Sequence, residues 1–237
     1  MKILLIAGHG AGDPGATAHG FIEADLAREV VAELKEHLSE YADITIFDTN
    51  KKMSKYLCSN SFNFKEYDYV FEIHFNAVKK ELVADGITKG TEILVHNTEK
   101  NTNVEKIILD NVCKLGYKNR GIKPRNDLMV MNVCKGKQGI SYALLEVCFI
   151  DDIDDMNLYN AKKHDIIKAV ADGIVKGFEL KKSTTHLLTS ANDIVWELNR
   201  SYFPIAEQEK FVKALDEAKA NNSSLYWGYY KLVNKIK

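Results

Sequence analysis

The chain has 237 residues, which at ~150 residues per domain predicts one full-sized domain with a small annex rather than a single minimal module. Its 46% hydrophobic and 27% charged residues exclude collagen-like and disordered classes. With 32 Lys and Arg against 33 Asp and Glu the net charge is −1, so the broad positive field used to hold nucleic acid or anionic membranes is missing, and neither partner is expected.

Lys2 to Gly8 is a short, nearly all-apolar run, the pattern of a strand buried on both faces of a parallel sheet. A glycine-rich loop follows, and then Ala24 to Leu38 places Leu26, Val30, Val31, Leu34 and Leu38 at helical spacing. Strands are expected at Ile44 to Phe47 and Tyr69 to His74, with a helix around Met53 to Phe62 between them. Gly90 to His96 reads as a strand, Asn103 to Leu115 as an amphipathic helix, Tyr142 to Phe149 as a buried strand and Met156 to Leu180 as a helix. This alternation predicts an α/β fold with a twisted, mainly parallel sheet flanked by helices.

Composition changes beyond the linker Lys181 to Thr185: eight of the 23 aromatic residues, including both tryptophans, fall in the last 55 positions. The expected organisation is a domain over 1–180 and a small helical domain over 186–237, with helices at Ala191 to Leu198, Glu207 to Ala220 and Leu225 to Val233. The four cysteines (Cys58, Cys113, Cys134, Cys148) lack CxxC spacing and are expected as free thiols. Gly8, His9 and Gly10 cut the first apolar run short of a secretory signal, and no stretch of ~18 apolar residues is present to span a membrane. A cytoplasmic start is expected; the oligomeric state is left open.

Ligands of open α/β sheets bind beyond the carboxyl ends of the strands. His9 follows the first strand, His74 closes the third, Glu146 interrupts an apolar strand, and Glu23 begins the first helix on the same edge. Two imidazoles and one carboxylate with a position left open match a catalytic zinc site. On that reading His9, Glu23 and His74 are ligands of one Zn2+ and Glu146 is the carboxylate beside the reacting water. A rival is the GxGxxG of Gly10 to Gly15 with Asp48 at the end of the next strand, a weak dinucleotide pattern because the third glycine precedes the helical period. A non-catalytic protein with structural zinc, or a nucleotide binder, is the alternative from a different class.

The ordered set Gly8-His9-Gly-Ala-Gly-Asp-Pro-Gly-Ala16, Gly20-Phe-Ile-Glu23-Ala-Asp-Leu, Glu72-Ile-His74-Phe-Asn-Ala77, Gly90-Thr-Glu-Ile-Leu94 and Leu144-Leu-Glu146-Val-Cys-Phe149 resembles the zinc-dependent N-acetylmuramoyl-L-alanine amidases of the AmiC-like type, over Met1 to Leu180. The resemblance implies an amidase sheet of about six strands, zinc on His9, Glu23 and His74, Glu146 as catalytic glutamate, and cleavage between the lactyl group of N-acetylmuramic acid and L-alanine in peptidoglycan. It also points to Asn76 and to Asn119–Leu128 near the groove, where Arg120 and Arg125 are candidate stem-peptide carboxylate binders. A wall amidase without a visible export signal suggests a phage endolysin held in the host cytoplasm until release, with a bacterial autolysin as runner-up. Glu72 stands where a small serine is common and Cys148 where glycine is common. Residues two apart share a strand face, so Glu72 is a candidate for an extra acid behind the site, although a surface or capping role is the expectation; Cys148 is placed beside Glu146 and is expected as a small packed residue. The aromatic tail resembles C-terminal segments of some lysins, which makes wall targeting a hypothesis beside a plain helical core.

Overall fold

The computed structural model describes residues 1–59, 62–78 and 82–182, together with Lys213 and Glu217. The chain divides after Lys182. The small helical domain expected over 186–237 lies outside the described residues, apart from Lys213 and Glu217, which are helical.

Strand β1 (Lys2–Ala7) is apolar on both faces, and Ile3, Leu4 and Leu5 are fully buried. After the glycine loop comes a short hairpin, β2 (Thr17–Ala18) and β3 (Phe21–Ile22). Its turn is His19-Gly20, both at positive φ (50° and 80°), the geometry of a two-residue turn matched to strand twist. The sequence reading took this stretch as loop, because a polar residue next to glycine carries little hydrophobic periodicity. The hairpin delivers the chain into α1 (Glu23–Leu38), whose Leu26, Val30, Val31, Leu34 and Leu38 all face the sheet.

Next come β4 (Asp43–Ile46), α2 (Met53–Ser59), β5 (Tyr69–Asn76), β6 (Thr91–His96), α3 (Asn103–Cys113) and β7 (Asn119–Arg125). A single helical turn, α4 (Met129–Met131), widens into a π-helical segment at Asn132–Lys137; then follow β8 (Ser141–Phe149) and α5 (Ile153–Gly177), the latter broken at Lys162. Asp152 caps α5 by accepting the amide of Asp155 at 3.0 Å.

The six long strands form one sheet in the order β4-β1-β5-β8-β6-β7. All neighbours are parallel except β6 and β8, which pair antiparallel with Glu92 opposite Glu146. That one reversal places the beginnings of β6 and β7 on the same edge as the ends of β1, β5 and β8. Strand β7 escaped the sequence reading because it is an exposed edge strand carrying Gly121 and Pro124, which suppress the strand signal.

Two hydrophobic layers sandwich the sheet. One packs alternate residues of β1, β5 and β8 (Ile3, Leu5, Phe71, Ile73, Ala143, Leu145) against α1, α3 and α5. The other holds Leu4, Ile6, Val70 and Leu144 under Met53, Val130 and Met131. This second layer is apolar only along part of the strands; toward the ends of β1, β5 and β8 it gives way to charge.

Candidate metal centre

His9 lies just past β1 at φ 58°, a left-handed conformation that turns its ring back over the strand end. Two glycines make room: a Cβ on Gly8 would sit 2.4 Å from His74 Cε1, and one on Gly15 would sit 2.6 Å from Glu23 Oε2. Glu23 is brought back to the loop by the hairpin, with its amide donating to the Ala16 carbonyl (3.0 Å) and its Oε2 accepting the Ala16 amide (2.9 Å). Its other oxygen, Oε1, lies 3.1 Å from His9 Nε2 and 2.9 Å from His74 Nδ1, and accepts the Phe75 amide at 3.1 Å.

His9, Glu23 and His74 therefore converge, with one ligand atom from each all within 4.8 Å of one another. Glu23 is 4% exposed at the start of α1, where the helix dipole favours a negative charge. Burial opposes its ionisation, but the hydrogen bonds from His74 and His9 outweigh this and hold its pKa well below the usual carboxylate range. Hydrogen bonding to Glu23 raises the His9 pKa. Burial works to lower that of His74, yet contacts with Glu23 and Glu72 lift it well above the ordinary imidazole value.

Glu146 is the strand neighbour of His74 in the β5–β8 register and lines the same cleft of about 350 Å3. Burial, reinforced by the charges of Glu23 and Glu92, pushes its pKa up to about 7, against the pull of His74. Its buried Oε2 has no hydrogen-bond partner among the described residues. Part of the cleft lining is apolar, with Leu94, Leu128, Met129 and Leu144.

Two carboxylates near this cluster went unassigned or misread. Glu92, cross-strand from Glu146, is clamped by Asn76 Nδ2 at 2.8 Å and Arg120 Nε at 3.0 Å, and the Arg120 guanidinium lies 4.7 Å over the Phe149 ring. An acidic residue inside the apolar run Gly90 to His96 was the available signal. Glu72 is not on the surface and caps nothing: it is 7% exposed, 3.0 Å from His74 Nε2, and accepts the Tyr142 hydroxyl at 2.5 Å. Its place two residues before His74 was legible as a shared strand face.

Asn76 and Arg120 thus stand beside Glu92, the cross-strand neighbour of Glu146, but Arg125 does not. It lies at the other end of β7, in register with His96, paired with Asp127 by contacts of 2.8 and 2.5 Å. The reason is the reversal of β6 and β7, which sends residues late in β7 to the far edge of the sheet. Cys148 is fully buried with Sγ 3.9 Å from Met156 Sδ; a register shift after His74 turns it into the helix-covered core, away from the Glu146 side chain's cleft. The GxGxxG glycines precede a hairpin and not a helix, and Asp48 is exposed beside Lys51.

The donor set suits a divalent cation. Nitrogen and oxygen ligands are already gathered, and carboxylate oxygens of Glu23 and Glu72 lie within 3.1 Å of the two imidazoles. No described helix is long and apolar enough to cross a membrane.

A family profile described as N-acetylmuramoyl-L-alanine amidase matches residues 3–176. Among curated proteins, the chain is 28% identical over 194 residues to the probable autolysin PH of Staphylococcus aureus (strain NCTC 8325 / PS 47), covering 74% of this chain and 38% of the autolysin. It is 25% identical over 191 residues to the endolysin of Bacillus phage SPP1, covering 77% of this chain and 68% of that protein. The fold resembles the CwlD amidase of Clostridioides difficile, with a TM-score of 0.60 and 22% identity over 75% of this chain and 98% of CwlD.

Proposed function

Since the chain belongs to the N-acetylmuramoyl-L-alanine amidase family, we propose that it hydrolyses the amide joining N-acetylmuramic acid to L-alanine in peptidoglycan, using one Zn2+ held by His9, Glu23 and His74. The observation that carries this reading is the convergence of those three ligands beside the buried, unpartnered oxygen of Glu146. Zinc, when bound, polarises a carbonyl and lowers the pKa of water from ~15.7 toward 7.

The protein groups supply the rest. Glu146 Oε2 accepts the proton of the attacking water and passes it to the departing amine, a role worth ~10²–10⁴-fold in rate. Its raised pKa suits both halves of that transfer, since a group titrating near 7 gives the proton up as readily as it takes it. Leu94, Leu128 and Leu144 line part of the cleft with carbon, which lowers the local polarity and strengthens the charges beside them. Asn76 and Arg120, fixed through Glu92, are proposed to contact the stem peptide, and Arg125, at the far end of β7, is left out of this role.

Likeness to the phage endolysin supports a role in lysis, with the enzyme kept in the host cytoplasm until it reaches the wall. The segment 186–237 is proposed to bind wall. Metal analysis of the purified chain, paired with mass spectrometry of digested muropeptides, tests the activity: stoichiometric zinc and free lactyl-muramic ends are expected, and intact amides with released glycan or cross-link fragments would refute it.

A further inference from the structure

Nothing in the ligand set itself explains why an acidic residue should be buried two positions before His74. A carboxylate that is 7% exposed must find partners, and Glu72 has two. One oxygen meets His74 Nε2 at 3.0 Å, and the other accepts the hydroxyl of Tyr142, a side chain 1% exposed on β8. Meanwhile His74 Nδ1 faces Glu23 within the metal cluster.

From this arrangement we infer that Glu72 is a positioning residue for the metal centre: it accepts the Nε2 proton of His74, fixes the tautomer that leaves Nδ1 as the ligand, and is itself locked by Tyr142. The inference rests on the zinc reading above and adds a specific device to it. A histidine ring free to rotate presents either nitrogen, whereas a ring anchored at Nε2 presents only Nδ1 toward Glu23. A carboxylate behind the ring also makes the ligating nitrogen more basic. Strand geometry makes the device possible, because residues two apart share a face. Tyr142, paired with Val70 in the β5–β8 register and so diagonal to Glu72, reaches the second oxygen from that same face. Removing either partner would strand the other as a buried polar group.

The test is zinc affinity of the full-length protein, read by chelator competition, together with the visible spectrum of the Co2+-substituted form. Glu72→Ala is expected to weaken zinc by ~10–100-fold and to alter the cobalt bands. Glu72→Gln, whose amide oxygen still accepts from Nε2, restores most of the affinity. If Glu72→Ala does not fold, Tyr142→Phe decides: loss of one hydroxyl loosens Glu72, lowers the melting temperature of a chain that still folds, and weakens zinc several-fold. Native zinc affinity and native cobalt bands in folded Glu72→Ala, or in Tyr142→Phe where the alanine variant does not fold, overturn the inference. If such a variant keeps zinc while His74→Ala loses it, only this inference fails; a wild-type chain that binds no zinc defeats the underlying reading instead.

Discussion

Strand β5 carries two different environments one residue apart. Phe71, Ile73 and Phe75 point into the layer under α1, α3 and α5 and are at most 2% exposed, each surrounded by carbon. Glu72 and His74 point the other way, into a cleft that they line with His9, Asp13 and Glu146, and Asn76 turns to Glu92. The first face stabilises the fold. The second opposes it, since charges are desolvated there without full pairing, and it persists because the first face and the flanking strands hold its backbone in place.

Mutations that separate the two faces test this contrast. His74→Ala should have the largest effect on function: zinc content falls to background by elemental analysis and wall-clearing activity disappears, while the chain still folds with a lowered melting temperature because Glu23 and Glu72 lose the imidazole between them. Glu146→Gln should keep zinc and lose ~10²–10⁴-fold in muropeptide release. It should also stabilise the metal-stripped protein. Because the folded-state pKa of Glu146 is about 7, above its unfolded value, the neutral carboxyl favours folding and that contribution is lost as pH rises through 7. The glutamine does not titrate, so its thermal advantage over wild type should be absent near pH 4, open between pH 4.5 and 7, and stay constant above.

On the other face Phe71→Ala should cost ~3–5 kcal/mol in urea denaturation, by transfer and cavity terms, yet the folded fraction should bind zinc normally. The smallest effects belong to the arginines. Arg120→Ala should raise KM for muropeptides, because it unclamps Glu92 beside Glu146. Arg125→Ala removes a solvent-exposed pair and should leave both kcat and KM near wild type. Equal KM changes in the two variants would show that position along β7 does not decide contact with substrate.

The main elements were legible because their periodicity is strong: β1, α1, β5, α3, β8 and α5 all carry runs whose spacing fixes which side is buried. Their ends were off by a few residues, as with α5, which starts at Ile153 where Asp152 supplies the cap and not at Met156. The hairpin before Glu23, the edge strand β7 and the π-helical turn were missed. Each is short or polar and is held by contacts from distant parts of the chain, such as the backbone pairing of β7 with β6. Glu72 was misjudged for a related reason: an acid beside a histidine is ordinarily solvated, and it takes the hydroxyl of Tyr142, seventy positions away, in addition to His74 to pair both oxygens in a buried place.

The order of residues along the chain was enough to specify an α/β sheet and to single out His9, Glu23, His74 and Glu146, because histidines and acids inside apolar strands are costly and stand out against their neighbours. Which of the remaining polar residues join them was settled only by folding. A parallel register set Glu146 beside His74, one antiparallel pairing brought Glu92 and Arg120 to the same edge and carried Arg125 away, and two glycines opened the space for the rings. Those outcomes depend on strand direction and on distances across the sheet, and neither is encoded in spacing along a single segment.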